Sequence, residues 1–282
     1  MTSAPGDPGT ATRVTQRFWI GLAAAVLYVL VAAGLARLLT EWFPPQNEVE
    51  DFVLGHLPVL IPLIILGVLF VRKAGWTRDV WRTPAAFETR PRRWWMLAFP
   101  VLMLVQVVAL LSITPWGDRK PELVFLVLGV NILVGVGEEL YFRGILRASL
   151  RAHHGETVTL VATSLLFGAG HALGSVLAGL PVAFIAIQVG GTVLMGAAFY
   201  GVFLATGRLW IVIAFHAMND FALRISSGDL TSASASDLDP PAITGVIQVV
   251  LWVLTLVLLI SCIRHDLHAR REGRSTPPTV AR

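Results

Sequence analysis

The chain has 282 residues, of which 55% are apolar and only 14% charged, and its formal net charge is +4. That is too little charge to clothe an ordinary soluble domain of this length, so the composition reads as an integral membrane protein. The single cysteine, Cys262, excludes an intrachain disulfide framework, a cysteine-built zinc site and Cys-x-x-Cys redox chemistry.

A membrane-crossing helix needs about 20 mostly apolar residues. Eight stretches qualify: 18–39, 52–71, 95–114, 122–142, 157–178, 181–204, 209–225 and 242–263. They predict an all-α, polytopic transmembrane bundle, one domain over 17–265, between a mobile N-terminal tail (1–16) and a basic C-terminal tail (266–282). The first stretch follows no strong signal-peptide pattern and has no obvious small-residue cleavage site, so it reads as a retained span. Arg37 and His56, near the outer ends of the first two spans, reach the interface by snorkelling.

The acidic first connection ("EWFPPQNEVED") reads as external. The second carries Arg72, Lys73, Arg78, Arg82, Arg90, Arg92 and Arg93 and by the positive-inside rule is cytosolic. Counting spans from there puts 226–241 outside and the basic tail "RHDLHARREGR" inside, with both termini cytosolic. Trp94, Trp95, Trp210 and Trp252 read as interfacial anchors. Basic loops account for the charge without nucleic acid. A multi-pass location in the cell membrane is expected, with membrane lipids as partners; oligomeric state is not encoded legibly. Cys262, near the cytosolic end of the last span, reads as a small packing residue rather than a palmitoylation site.

Polar residues crowd into 138–220, where buried ionisable groups are costly and usually mark a site. Residues 122–178 read as one helical hairpin broken at "HHGET", with Gly155 available for the stop and Thr157 for capping the next start. Glu138 and His171 lie 17 and 16 residues from Gly155, so each is about 25 Å from the turn and they share a level. Glu139 and Arg143, at i and i+4 with the acid first, are expected to pair. Glu138 is then the freer carboxylate, able to turn toward His171 and hold a water. Arg143, Arg147 and Arg151 make a basic stripe at four-residue spacing, which reads as a solvated positive-inside surface or a contact for anionic headgroups. On the seventh span, His216, Asn219 and Asp220 can project into one cleft.

Ser164 and Ser175 flank His171, but there is no Gly-x-Ser-x-Gly elbow and no His-Glu-x-x-His helix. Water activation remains: a buried glutamate as base, a histidine to orient the water, and His216 with Asn219 or Asp220 to relay protons or meet an oxyanion. The alternative is a single divalent metal such as zinc, with Glu138, His171 and His216 as three ligands and an open position. Each account predicts hydrolysis of a polar bond by an activated water, and the sequence leaves the choice open.

Glu138-Glu139-x-x-x-Arg143, Phe167-x-x-x-His171 and His216-x-x-x-Asp220 resemble, in order, the three signature motifs of the CPBP intramembrane proteases (Abi, or CAAX protease and bacteriocin-processing), which include the type II CAAX prenyl endopeptidases. The resemblance covers about 120–225. It implies eight helices, Glu138 activating water with help from His171, Glu139 and Arg143 organising the site, and His216 with the residue four later stabilising the oxyanion. That last position is usually asparagine and is Asp220 here, so the resemblance implies a protonated Asp220, an Asp220 paired with His216, or Asn219 in the amide role. The implied substrate is a lipidated or membrane-inserted protein or peptide. The alternatives are a non-catalytic immunity or scaffold protein of the same fold and a proton-coupled transporter. Against the latter, the polar residues occupy one half of the chain, not two repeated halves. The stretches "VGGT" (189–192) and "FYG" (199–201) are expected to let helices pack closely.

Overall fold

The computed structural model describes residues 13–89, 92–227 and 242–272. Most of both expected tails, Arg90 and the bulk of the 226–241 connection therefore lie outside the described residues. Ten α-helices run in chain order: α1 (Phe18–Trp42), α2 (Glu48–Ala74), α3 (Thr77–Trp81), α4 (Ala98–Ile113), α5 (Pro121–Glu139), α6 (Arg147–Arg151), α7 (Glu156–Leu177), α8 (Val182–Thr206), α9 (Leu209–Ser227) and α10 (Ala242–Arg271). A 3₁₀ turn at Trp94–Leu97 leads into α4, and a π-helical segment, Leu140–Leu146, joins α5 to α6. Among the described residues eight helical segments are long and apolar enough to cross a membrane, one for each predicted stretch. The fold is a polytopic helical bundle.

Large apolar side chains cover the outside, Val182, Ile187 and Phe125 being 82%, 77% and 72% exposed, as helices facing hydrocarbon require. The buried core gathers where the π segment, α8 and α9 meet, around Leu140, Ile145, Phe199, Tyr200 and Phe203, with Trp76 beneath. Cys262 belongs to this core and is fully buried, which agrees with a packing role.

Several local expectations shift. The hairpin is observed, but its fourth span continues through the π segment and α6 to Arg151. Gly155 does not stop that helix; it is the N-cap of α7 and supplies no side chain. Nor does Thr157 cap the start. Asp266 of α10 does so from a distance, its carboxylate accepting from the backbone amides of Glu156 (3.1 Å) and Thr157 (2.9 Å), where a helix N-terminus favours an anion. α10 also runs to Arg271, so residues 266–271 are helix rather than tail. At the other end, residues 13–16 are tied down: Trp76 donates to the Val14 carbonyl (2.7 Å) and Gln16 to Asp79 (2.7 Å).

The basic stripe is overturned in its middle. Arg147 is buried, donates to the carbonyls of Arg143 (2.8 Å) and Asp79, and lies over the Phe203 ring. Arg151 pairs with Glu156 at 3.2 Å. These guanidiniums tie α6 to α3 and α7 instead of facing water or headgroups. The second connection is likewise anchored, Thr83 donating to Gly207 and Ala86 to Leu204, each at 2.9 Å. Gly207 closes α8 in a left-handed conformation (φ 65°) with the Thr83 carbonyl where a Cβ would stand, so only glycine fits.

Candidate active site

The site is built where α5 becomes the π segment, facing α7 and α9. Glu139 and Arg143 lie wholly out of solvent and are joined at 3.0 Å, the i, i+4 pairing expected from their spacing. Arg143 also donates to the Gly196 carbonyl on α8 (2.8 Å) and lies over the Phe167 ring, 4.1 Å from its centroid. A guanidinium at this depth is retained only with such partners.

The same oxygen of Glu139, Oε1, accepts a second bond from His216 Nδ1 at 2.7 Å. This link was not legible from spacing, because 77 residues separate the two. It makes Glu139 the hinge of the site, held by a cation on its own helix and by an imidazole from α9. Its other oxygen, Oε2, is buried without a hydrogen-bond partner among the described residues.

His216 Nε2 lies 3.7 Å from Glu138 Oε2 and 3.4 Å from Asp220 Oδ2, so one imidazole faces three carboxylates. These are ion-pair distances, longer than good hydrogen bonds. The ring stacks on Phe199 (centroids 4.5 Å apart, planes at 14°), a partner that no sequence signal marked. Phe167 meets both histidines edge-on, at 4.9 Å from His171 and 6.0 Å from His216. That contact gives its motif position a physical reason: one ring spaces the two imidazoles and carries Arg143.

Glu138 and His171 line one cavity of about 290 Å³, which agrees with their matched levels on the hairpin. The Glu138 side chain retains 18% exposure, against none for Glu139. His171 Nδ1 is 2.8 Å from the Phe167 carbonyl. A carbonyl only accepts, so Nδ1 carries the proton and the neutral ring offers Nε2 as an acceptor. Tyr28 of α1 also lines the cavity and stacks on Tyr141 at 4.6 Å. It lies far upstream of the motifs, and its only sequence signal was a hydroxyl inside an apolar run.

Asn219 does not join the cleft with His216. Its side chain contacts Gln106 of α4 (3.5 Å) and Asp220 (3.4 Å). Ser164 Oγ has no partner among the described residues, and Ser175 Oγ bonds Gln188 and the His171 carbonyl, so neither contacts an imidazole nitrogen. Among the described residues no three His, Cys, Asp or Glu side chains are disposed to hold a metal ion, so Glu138, His171 and His216 do not assemble as the ligand set the alternative account required.

The glycines divide. A Cβ on Gly201 would stand 2.6 Å from the Phe99 ring, which is the close packing expected of "FYG". Gly190 and Gly191 of "VGGT" have nothing within 4 Å of theirs, so close packing is not their reason.

Residues 120–222 match the family model described as Type II CAAX prenyl endopeptidase Rce1-like. No curated protein and no solved structure matches the chain. The matched segment holds all three polar motifs, from Glu138 to Asp220, together with every helix that contributes to the Glu139–His216 junction. Through this core the chain belongs to the CPBP family of CAAX-type proteases, as a multi-pass membrane protein.

Proposed function

We propose that the protein is an intramembrane endopeptidase of the cell membrane that hydrolyses a peptide bond in a lipidated or membrane-inserted protein or peptide, using a water activated by Glu138. The observation that carries this reading is the cavity shared by Glu138 and His171, with His171 locked in the tautomer that presents Nε2 as an acceptor. A water donating one proton toward Glu138 and the other toward His171 Nε2 directs its lone pair at a carbonyl in the cavity. Glu138 takes the proton as the water attacks, and returns it to the leaving amine.

His216 supplies the positive pole. Glu139 orders its ring through Nδ1, which turns Nε2 toward the carboxylates of Glu138 and Asp220. Protonated there, Nε2 donates to the oxyanion as it forms. Asp220, standing where the family usually has asparagine, supports that charge on His216 instead of donating an amide itself. Asn219 supports Asp220 and Gln106. Arg143 holds Glu139 and thereby positions His216. No step is routed through a metal, because the side chains are not disposed to bind one.

The test is turnover of lipidated and transmembrane reporter peptides by the purified protein, wild type beside Glu138→Gln, with and without a chelator. Loss of roughly 10²–10⁴-fold in Glu138→Gln, the range for removing a general base, with no chelator effect is expected. Turnover by Glu138→Gln equal to wild type would overturn the assignment, and inhibition by chelator would overturn the metal-free route.

A further inference from the structure

At one end of the bundle the two basic segments of the chain meet around a second cavity, of about 540 Å³. Arg93 and Trp95 form one wall, at the end of the second connection, and α10 forms the other. The α10 wall is a stripe at three- and four-residue spacing that begins with Val257 and Ile260 and ends with Arg264 and His268. Between Val257 and Arg264 it passes from apolar to basic over about 10 Å of helix axis.

No acidic residue lines the cavity. Asp266, close by on α10, is turned to the amides at the start of α7 and lies 3.7 Å from His265. Glu272 pairs with His268 at 2.9 Å. Arg264 has no ion pair among the described residues, and Arg93 Nη1 is out of solvent contact with no hydrogen-bond partner among them. A buried donor left without an acceptor is costly, and the acceptor that suits two guanidiniums is a phosphate.

We propose that this cavity binds the headgroup of an anionic glycerophospholipid, its phosphate between Arg93 and Arg264 and an acyl chain along Val257 and Ile260. The order of the wall favours a lipid over a soluble anion. An inorganic phosphate makes no use of an apolar floor, whereas a phospholipid presents the same sequence of chemistry, chain below and charge above, with a tryptophan at the boundary. Ile260 is 50% exposed on the bundle's outer face, so the floor is continuous with the surrounding hydrocarbon. The site is independent of the catalytic reading.

The experiment uses the full chain, delipidated in a neutral detergent and titrated with phosphatidylglycerol or phosphatidylcholine by native mass spectrometry, with inorganic phosphate as a thermal-shift control. Saturable binding of phosphatidylglycerol is expected, with phosphatidylcholine weaker by roughly tenfold or more. Arg264→Gln and Arg93→Gln should each weaken it roughly fivefold, the worth of one basic residue at a membrane surface. Arg264 is exposed, so its variant should fold as wild type does and keeps the test decisive if Arg93→Gln does not. Equal affinity for the two lipids, or undiminished affinity in Arg264→Gln, would overturn the proposal. So would stabilisation by inorganic phosphate equal to that by phosphatidylglycerol, because the ligand would then be a soluble anion.

Discussion

Replacing Arg143 by methionine tests whether the Glu139–Arg143–His216 junction holds the bundle together. The side chain is fully buried, bonded to Glu139 at 3.0 Å and Gly196 at 2.8 Å, and packed on Phe167. Methionine keeps much of the volume and removes the charge, which leaves Glu139 buried with only His216 as a partner. Breaking one side of a buried pair costs about 3–5 kcal/mol. Because His216 still holds Oε1 at 2.7 Å, the expected cost is about 3 kcal/mol, the lower end of that range. Glu139→Gln in the same chain removes the stranded charge and keeps an oxygen for His216, so Arg143→Met/Glu139→Gln should recover more than half of the loss. The assay is denaturant-induced unfolding in mixed micelles, extrapolated linearly to zero denaturant, for wild type, both single variants and the double. A single-variant cost under about 1 kcal/mol, the range of surface pairs, would refute the reasoning. So would a double variant no more stable than Arg143→Met.

Three further outcomes are expected. Asp266→Ala should cost about 1–2 kcal/mol, as loss of an N-cap does, and raise hydrogen exchange at the start of α7, with the rest of the bundle unchanged. Gly201→Ala, whose Cβ would stand 2.6 Å from the Phe99 ring, should cost about 1–3 kcal/mol, whereas Gly190→Ala, with nothing within 4 Å, should lie within about 0.5 kcal/mol of wild type; equal thermal shifts would deny the distinction. Asp220→Asn should keep turnover within about tenfold of wild type, since an amide there donates to the oxyanion directly, and a loss matching that of Glu138→Gln in the peptide assay would show that Asp220 does more than support His216.

The spans were legible because hydropathy alone specifies them: a run such as 242–263 has no other way to be satisfied. The Glu139–Arg143 pair was legible because i, i+4 is a local relation, and the shared level of Glu138 and His171 because a hairpin converts residue count into height. Contacts between helices distant in the chain were not. Nothing local ties His216 to Glu139, Asp266 to the start of α7, or Phe199 to the face of His216. Helical phase also misled. Arg147 was read as lying on a surface stripe, yet the π segment and the neighbouring α3 place it in the interior, and Asn219, near His216 by angle, is drawn away by Gln106. Angular spacing on one helix cannot foresee which neighbour a polar side chain will meet.

The π-helical segment Leu140–Leu146 has a consequence for how the chain can vary in length. A π turn is an α-helix carrying one surplus residue, and all seven residues of the segment are buried. Deleting one of them would let a regular helix run through and turn everything after it by about 100° relative to Glu138 and Glu139. Arg147 would swing off Asp79 and Phe203, and the α6 connection would enter α7 from the wrong side. Many side-chain replacements in this stretch preserve that phase; the loss of a single codon does not. Between Glu139 and Arg147 the number of residues is therefore more tightly constrained than their identity.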